Sequence, residues 1–377
     1  MINIIYICVN PGNAAKLVPA HIHCHVRGPG TTADHFALRR MPMNSREIVI
    51  ATLDFSCPPR VARSFEFDGR PSDFLWADQT ATTHATEWRQ AGGQRWERTD
   101  EWGNLWARVD ASSKGEVVKG VLDTLDSLDT LRLPDFSHAS DYESVRKARA
   151  ANPDKYLIGG IPGFTFNIAR KLRRLDNYLI DLLMEPERMR VLHDCIDRAL
   201  VDMIVNYAGA GVDAVMFPED WGTQSQVFID PGLWHEEFHP RFKRLCACAH
   251  DRGIKVFMHS CGMIEAIVPS LIRAGIDVLQ FDQPDLHGID ILASYQEDAR
   301  ITFWCPVDIQ RVLPAGREQA IRAKAREMLD KLWRVRGGFI AGFYPGMSSI
   351  GVEPGWQAWA CEEFDSAGKR EAVSPAA

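Results

Sequence analysis

His259 and Cys261 are the two side chains in this sequence best placed to do chemistry together. The apolar run Ile254 to Met258 reads as a short buried strand, and it ends on His259-Ser260-Cys261-Gly262. Side chains alternate along a strand, so the imidazole and the thiol point the same way. A neutral imidazole and a thiolate on one rigid element make half of a zinc site, because zinc takes nitrogen and sulfur ligands in tetrahedral geometry. A core cysteine beside a hydrogen-bonded histidine is the plainer reading of the same pair.

Three further strand ends carry reactive groups. Ala214 to Phe217 runs into Pro218-Glu219-Asp220-Trp221, Val278 to Phe281 into Asp282-Gln283, and Ile301 to Trp304 into Cys305-Pro306-Val307-Asp308. Glu219 and Asp220 are candidates for a general acid or base or for a metal ligand, and Asp282 joins them as a catalytic candidate. Gln283 is a candidate for positioning a substrate, and Cys305 for a third metal ligand beside His259 and Cys261. Acids that cap the following helix would leave the same trace. Phe164, Phe166, Trp221, Trp304 and Tyr344 are candidate apolar walls of a pocket, each equally suited to a core.

Elements of regular spacing must hold these groups. Tyr156 to Ile161, Ala214 to Phe217, Lys255 to Met258, Val278 to Phe281, Ile301 to Trp304 and Gly338 to Ala341 read as strands. Between them lie amphipathic helices over Phe166 to Leu183, Glu187 to Gly209, Trp234 to Arg252, Ile264 to Ala274 and Glu318 to Arg334. Such alternation is the mark of a parallel sheet with crossover helices. No strand is followed by a dinucleotide-type glycine loop, which favours an α/β fold of one closed (β/α)8 barrel, a TIM barrel, over an open sheet. Barrel enzymes work at the carboxyl ends of their strands, where the polar residues gather here. The stretch Trp76 to Asp110 reads as an irregular insertion beside the barrel mouth.

Composition bounds the remaining possibilities. With 46% hydrophobic and 25% charged residues over 377 positions, the chain suits one large barrel. A net charge of -7 argues against a partner of nucleic acid or anionic membrane, which would call for a basic face. Nine irregularly placed cysteines do not form a secreted disulfide framework, so a cytoplasmic location with reduced thiols is expected. No apolar run approaches the roughly 20 residues of a membrane helix. Asn44 or Ser45 can cap a helix with Ile48, Val49, Ala51 and Leu53 on its apolar face. Residues 1–42 are therefore expected to be a flexible leader or an artefact of an upstream start, 43–366 the barrel, and 367–377 a disordered tail.

Some clusters are read as incidental. His21, His23, Cys24 and His25 fall in the leader, without packed neighbours to orient them. Arg170, Lys171, Arg173 and Arg174 read as a solvated helix face, with the carboxylates or phosphate of an anionic ligand as the functional alternative.

Several motifs together resemble the uroporphyrinogen decarboxylase superfamily, in particular its branch of zinc-dependent, corrinoid-linked methyltransferases. They are Met43-Asn44-Ser45-Arg46-Glu47, Asp100-Glu101-Trp102-Gly103, Ser113-Lys114-Gly115-Glu116, the Glu219 to Pro284 block and Trp304-Cys305-Pro306-Val307-Asp308-Ile309-Gln310. The resemblance covers roughly 43–366 and implies the barrel fold, zinc at His259 and Cys261, and a corrinoid held on a partner protein as methyl carrier. It implies methyl transfer between that carrier and a small thiol or hydroxyl compound. The alternatives are a metal-independent decarboxylase of a carboxylated tetrapyrrole or smaller acid, with Asp220 stabilising developing positive charge, and a non-catalytic barrel that binds a corrinoid or a partner. Two departures stand out. Arg89-Gln90-Ala91-Gly92 matches the start of the decarboxylases' arginine motif but continues with Gly93 and Gln94, and Met347 lies where the methyltransferases place another cysteine. A thioether is a poor zinc ligand, so Cys305, Glu219 or Asp282 would have to complete the set.

Overall fold

A computed structural model describes residues 42–370, apart from 66–68, 111–112 and the side chains at 348 and 349. The expected leader up to residue 41, with its histidine cluster, and the tail beyond residue 370 lie outside the described residues.

Eight parallel strands stand in the order β1 (Ala62–Arg63), β12 (Phe339–Ala341), β11 (Thr302–Cys305), β10 (Val278–Gln280), β9 (Lys255–His259), β8 (Ala214–Pro218), β7 (Tyr156–Gly160) and β2 (Phe74–Ala77). The ring is nearly closed: among the described residues no ladder joins β1 to β2, but the Asp73 N–H donates to the Arg63 carbonyl at 2.9 Å and Arg60 pairs with Asp73 at 2.7 Å. The expected (β/α)8 barrel is thus present. Alternation sorts its strands into two layers. Ala62, Phe74, Tyr156, Ile158, Ala214, Phe257, Val278, Trp304 and Ile340 pack together inside the ring, while Leu157, Val215, Phe217, Met258, Leu279, Phe303, Cys305 and Ala341 join the larger core under the helices.

Helix α1 (Ser45–Leu53) starts at a capping box, in which the Asn44 side chain accepts from the Glu47 N–H and the Asn44 N–H donates to the Glu47 carboxylate, both at 2.9 Å. Its Ile48, Val49 and Leu53 pack into the interior cluster, and Arg46 reaches Asp213, just before β8, at 2.7 Å. The helix therefore plugs the amino-terminal end of the barrel, leaving the other end for the site.

The crossovers are α2 (Glu143–Ala151), α3 (Thr165–Leu172), α4 (Leu175–Met184), α5 (Pro186–Ala210), α6 (Pro231–Glu237), α7 (His239–His250), α8 (Val268–Ala274), α9 (Ile289–Asp298), α10 (Glu318–Met328) and α11 (Pro354–Ala367). Two expected single helices are broken. Arg174 takes φ +62° between α3 and α4, and Arg173 turns aside to bind Asp181 and the Leu122 carbonyl. Pro240, lacking an N–H, suits the first turn of a new helix after Phe238 rather than the middle of one from Trp234 to Arg252. Among the described residues, no helix is long and apolar enough to cross a membrane.

The stretch expected to be irregular is largely an antiparallel sheet of β3 (Arg89–Gly92), β4 (Arg95–Thr99), β5 (Leu105–Arg108) and β6 (Glu116–Lys119), in that order. Gly93 and Gln94 form the turn of its first hairpin between the paired Gly92 and Arg95, with the two glycines at φ +124° and +55°. Arg89-Gln90-Ala91-Gly92 is the exposed edge strand, so its likeness to a decarboxylase motif is incidental. Trp76, read with this insertion, instead belongs to barrel strand β2.

Candidate active site

His259 ends β9 facing into the barrel, and its register partners are Pro218 on one side and Gln280 on the other. Past Pro218, alternation turns Glu219 outward and Asp220 inward. Asp220, His259 and Cys261 consequently bring one ligand atom each within 4.8 Å of one another. His259 Nε2 lies 3.3 Å from Cys261 Sγ and 3.5 Å from Asp220 Oδ1, and the Cys261 N–H donates to that oxygen at 3.0 Å.

The imidazole is oriented from behind. His259 Nδ1 bonds the amide oxygen of Gln280, whose Nε2 donates to Asp282 Oδ1 at 2.8 Å. An amide oxygen only accepts, so the proton sits on Nδ1 and the Nε2 lone pair faces Cys261 and Asp220. That is the tautomer a metal requires. Gly262, at φ +77°, lets the chain turn after Cys261; a Cβ there would meet the Gly222 carbonyl oxygen at 2.3 Å. The loops after β8 and β9 thus close on each other at two glycines and hold Asp220 beside Cys261.

Charge at the site is uneven. Burial works against the Asp220 carboxylate, yet His259, the Cys261 N–H and Arg170 hold its pKa below the ordinary value. Burial, with Asp220 and Asp282 nearby, pushes the Cys261 thiol up to about 12, so without a cation beside it the sulfur keeps its proton. Arg170 stands 3.7 Å from Asp220 and is steadied by Asn167 Oδ1 at 2.7 Å and 3.0 Å. Lys171 is half-buried with its ammonium 5.5 Å from the Trp106 ring centroid. These two cations therefore face the mouth, contrary to the expected solvated helix face; Arg174, exposed beside Asp176, alone fits that description among the four.

Glu219 does not join the metal group. It is fully buried, its Oε1 accepts the Asn167 N–H at 3.0 Å, and it serves as the cap that Phe164 cannot supply to α3. Burial raises its carboxyl to about 8. Cys305 is likewise excluded: it follows inward-facing Trp304 and so points into the helix-side core, fully buried. Met347 Sδ accepts from Gln357 Nε2 at 3.2 Å. The side chain that brings a donor atom beside those of His259 and Cys261 is Asp220.

Of the expected pocket walls, Phe164, Phe166 and Trp221 are core. Phe164 stacks on Phe217 at 3.4 Å between centroids and Phe166 on Trp221 at 3.8 Å, all without solvent contact. Trp304 and Tyr344 do line a cavity at the mouth, together with Asp282. Gln283 ties loops together, donating to Gln310 at 3.0 Å and accepting from the Gly262 N–H at 3.4 Å. Sequence reasoning missed Gln280 and Lys114, and it ranked the solvated-face reading of Arg170 above the functional one. Gln280 had a signal, as the one amide in the otherwise apolar run Val278 to Phe281.

A barrel with donors and acids collected past the carboxyl ends of its strands is built as enzymes of this architecture are. The family model of uroporphyrinogen decarboxylase (URO-D) matches residues 109–348, and the chain belongs to that family. Among solved structures, the methyltransferase from Methanosarcina mazei is similar with a TM-score of 0.52 and 14% identity, over 70% of this chain and 77% of that one. A B12-independent methionine synthase from Shewanella sp. W3-18-1 is similar at 0.38 and 11% identity, over 71% and 70%. Likeness at these identities concerns the fold alone. No curated protein matches the chain.

Proposed function

We propose that this URO-D family barrel is a zinc-dependent methyltransferase that moves a methyl group between a corrinoid on a carrier protein and a small thiol or hydroxyl compound. The observation that carries the reading is the group Asp220, His259 and Cys261, with ligand atoms within 4.8 Å and the imidazole already in the metal-binding tautomer. Nitrogen, sulfur and carboxylate oxygen are all donors zinc accepts, and three protein ligands leave a fourth position open, as catalytic sites do. When bound, zinc would lower the pKa of a substrate thiol or hydroxyl in that position and favour its nucleophilic anion.

The protein's own groups support this chemistry. Gln280 fixes the imidazole, Asp282 fixes Gln280, and Arg170 offsets the carboxylate of Asp220. The adjoining cavity of about 360 Å³ is sized for a small partner, so the corrinoid stays on its carrier and is presented from outside. The test is incubation of zinc-loaded protein with methylcobalamin and a panel of small thiols and phenols. Zinc-dependent demethylation of the corrinoid with a matching thioether or ether product is expected, and no such reaction across the panel would contradict the reading.

A metal-independent decarboxylase is the second reading, favoured by Arg170 and Lys171 together at the mouth beside Asp220. In that case the cations hold a substrate carboxylate and Asp220 steadies positive charge as it develops. Insensitivity to chelators separates it from methyl transfer.

A further inference from the structure

The cavity at the mouth has walls of a definite kind. Four aromatic residues, Trp76, Trp304, Phe343 and Tyr344, line it together with Lys114 and Asp282. Two of the rings are preset. Trp304 donates from Nε1 to Ser64 Oγ at 2.8 Å and stacks on Phe74 at 4.9 Å, and the main chain of Tyr344 is gripped at both its N–H and its C=O by Gln357, at 2.8 Å and 3.0 Å. Trp76 follows inward-facing Phe74 by two positions yet is 40% exposed, which leaves a large ring uncovered where barrel side chains normally fill the interior. Lys114 brings an ammonium to 5.6 Å from the Tyr344 ring centroid. Gln280 also lines the cavity, and so joins it to the group that would hold the metal.

From this arrangement we infer that the cavity binds a single-ring aromatic acid, its ring between the aromatic walls, its carboxylate on Lys114, and a hydroxyl or thiol substituent directed toward Gln280 and Asp282. Rigid aromatic walls gain most from a flat apolar ring, and the ammonium selects an anion. An aromatic enclosure also suits a quaternary ammonium, but Lys114 repels one. A volume of about 360 Å³ lies near the lower end of ligand pockets, too small for a tetrapyrrole. The assignment rests on the proposed methyl transfer for what becomes of the ligand, and not for its binding.

The experiment is calorimetric titration of the full chain, both chelator-treated and zinc-loaded, with 4-hydroxybenzoate, cyclohexanecarboxylate, phenol and choline. Expected is binding of 4-hydroxybenzoate about ten-fold or more tighter than either cyclohexanecarboxylate or phenol, with choline not bound. Lys114→Met should weaken 4-hydroxybenzoate about ten-fold while leaving phenol within about two-fold, and Trp76→Leu should weaken both. Thermal melts of both variants guard against misfolding. Equal binding of the saturated acid, preference for choline, indifference to Lys114→Met, or no binding of any probe would each overturn the assignment. Because the chelator-treated protein is included, failure here leaves the zinc chemistry standing, and absence of zinc leaves this result standing.

Discussion

Gln280 stands directly opposite His259 in the β9–β10 ladder, and its side-chain oxygen accepts the hydrogen bond from His259 Nδ1–H. Register places the amide, and the amide chooses the tautomer. Gln280 thus positions the imidazole from the wall of the mouth cavity, which it also lines.

Replacing Gln280 with Leu should therefore leave the barrel folded and weaken zinc binding by about 10–100-fold, the usual cost of losing a partner that orients a metal-bound histidine. Competition against a chromophoric chelator measures it. Affinity unchanged from wild type would mean that the histidine is held by something else.

Gly262→Ala should damage both stability and the site. The residue has φ +77°, which costs an ordinary L residue about 1–2 kcal/mol. Its new Cβ would also strike the Gly222 carbonyl oxygen, 2.3 Å away, and force apart the loops that carry Asp220 and Cys261. A lowered urea midpoint accompanied by lost zinc affinity is expected. A variant as stable as wild type would show that the loops yield freely.

How much of this was legible in the sequence follows from the physics of each part. Strands such as Lys255 to Met258 were visible because an apolar run bounded by turn residues has few other readings. The barrel followed from their alternation with helices. The hairpin at Gly92 and Gly93 was missed because polar, exposed strands lack an apolar period, although the glycine pair was a signal. At the site, the inward direction shared by His259 and Cys261 was readable from period 2. The same parity separates Glu219 from Asp220, but only once the backbone is known to stay extended beyond the strand end at Pro218, where the Glu219 N–H donates to the His259 carbonyl at 2.8 Å. Arg170 and Lys114 reach the mouth through tertiary placement of α3 and of the segment before β6, which no local pattern encodes.

Behind the site, His193, Glu237, Arg241 and Asp197 form a buried polar network joining α5, α6 and α7. Arg241 contacts Glu237 and Asp197, both at 2.8 Å, and His193 Nδ1 meets Glu237 at 2.8 Å. Arg241→Met removes the buried cation these carboxylates share, leaving Glu237 only Arg190 at 3.1 Å and Asp197 only Arg244 at 3.0 Å as cationic partners from arginine, and should cost about 3 kcal/mol, read from urea unfolding. A loss below about 1 kcal/mol, the size of an exposed pair, would contradict that role.

The same network predicts acid sensitivity. Burial opposes the charge of Glu237, but His193 and Arg241 hold its pKa at about 2 against an ordinary 4.5. The unfolded chain therefore takes up this proton first, and the stability it contributes is present above about 4.5 and lost as pH falls toward about 2. Burial lowers the His193 pKa as well, which adds loss in the same direction once pH drops below 6.5. Urea midpoints across this range should fall more steeply for wild type than for Glu237→Gln. Parallel slopes would remove Glu237 from the account.

Zinc stoichiometry tests the central claim most directly. Elemental analysis of the purified full chain, after incubation with zinc and removal of the excess, should find about one ion per chain, lost in His259→Ala and Cys261→Ala and weakened in Asp220→Asn. Cys305→Ser, altering a thiol buried on the helix side, should retain it. Wild type without bound zinc, or zinc kept by His259→Ala and Cys261→Ala but lost in Cys305→Ser, would contradict the metal centre and the methyl transfer built on it.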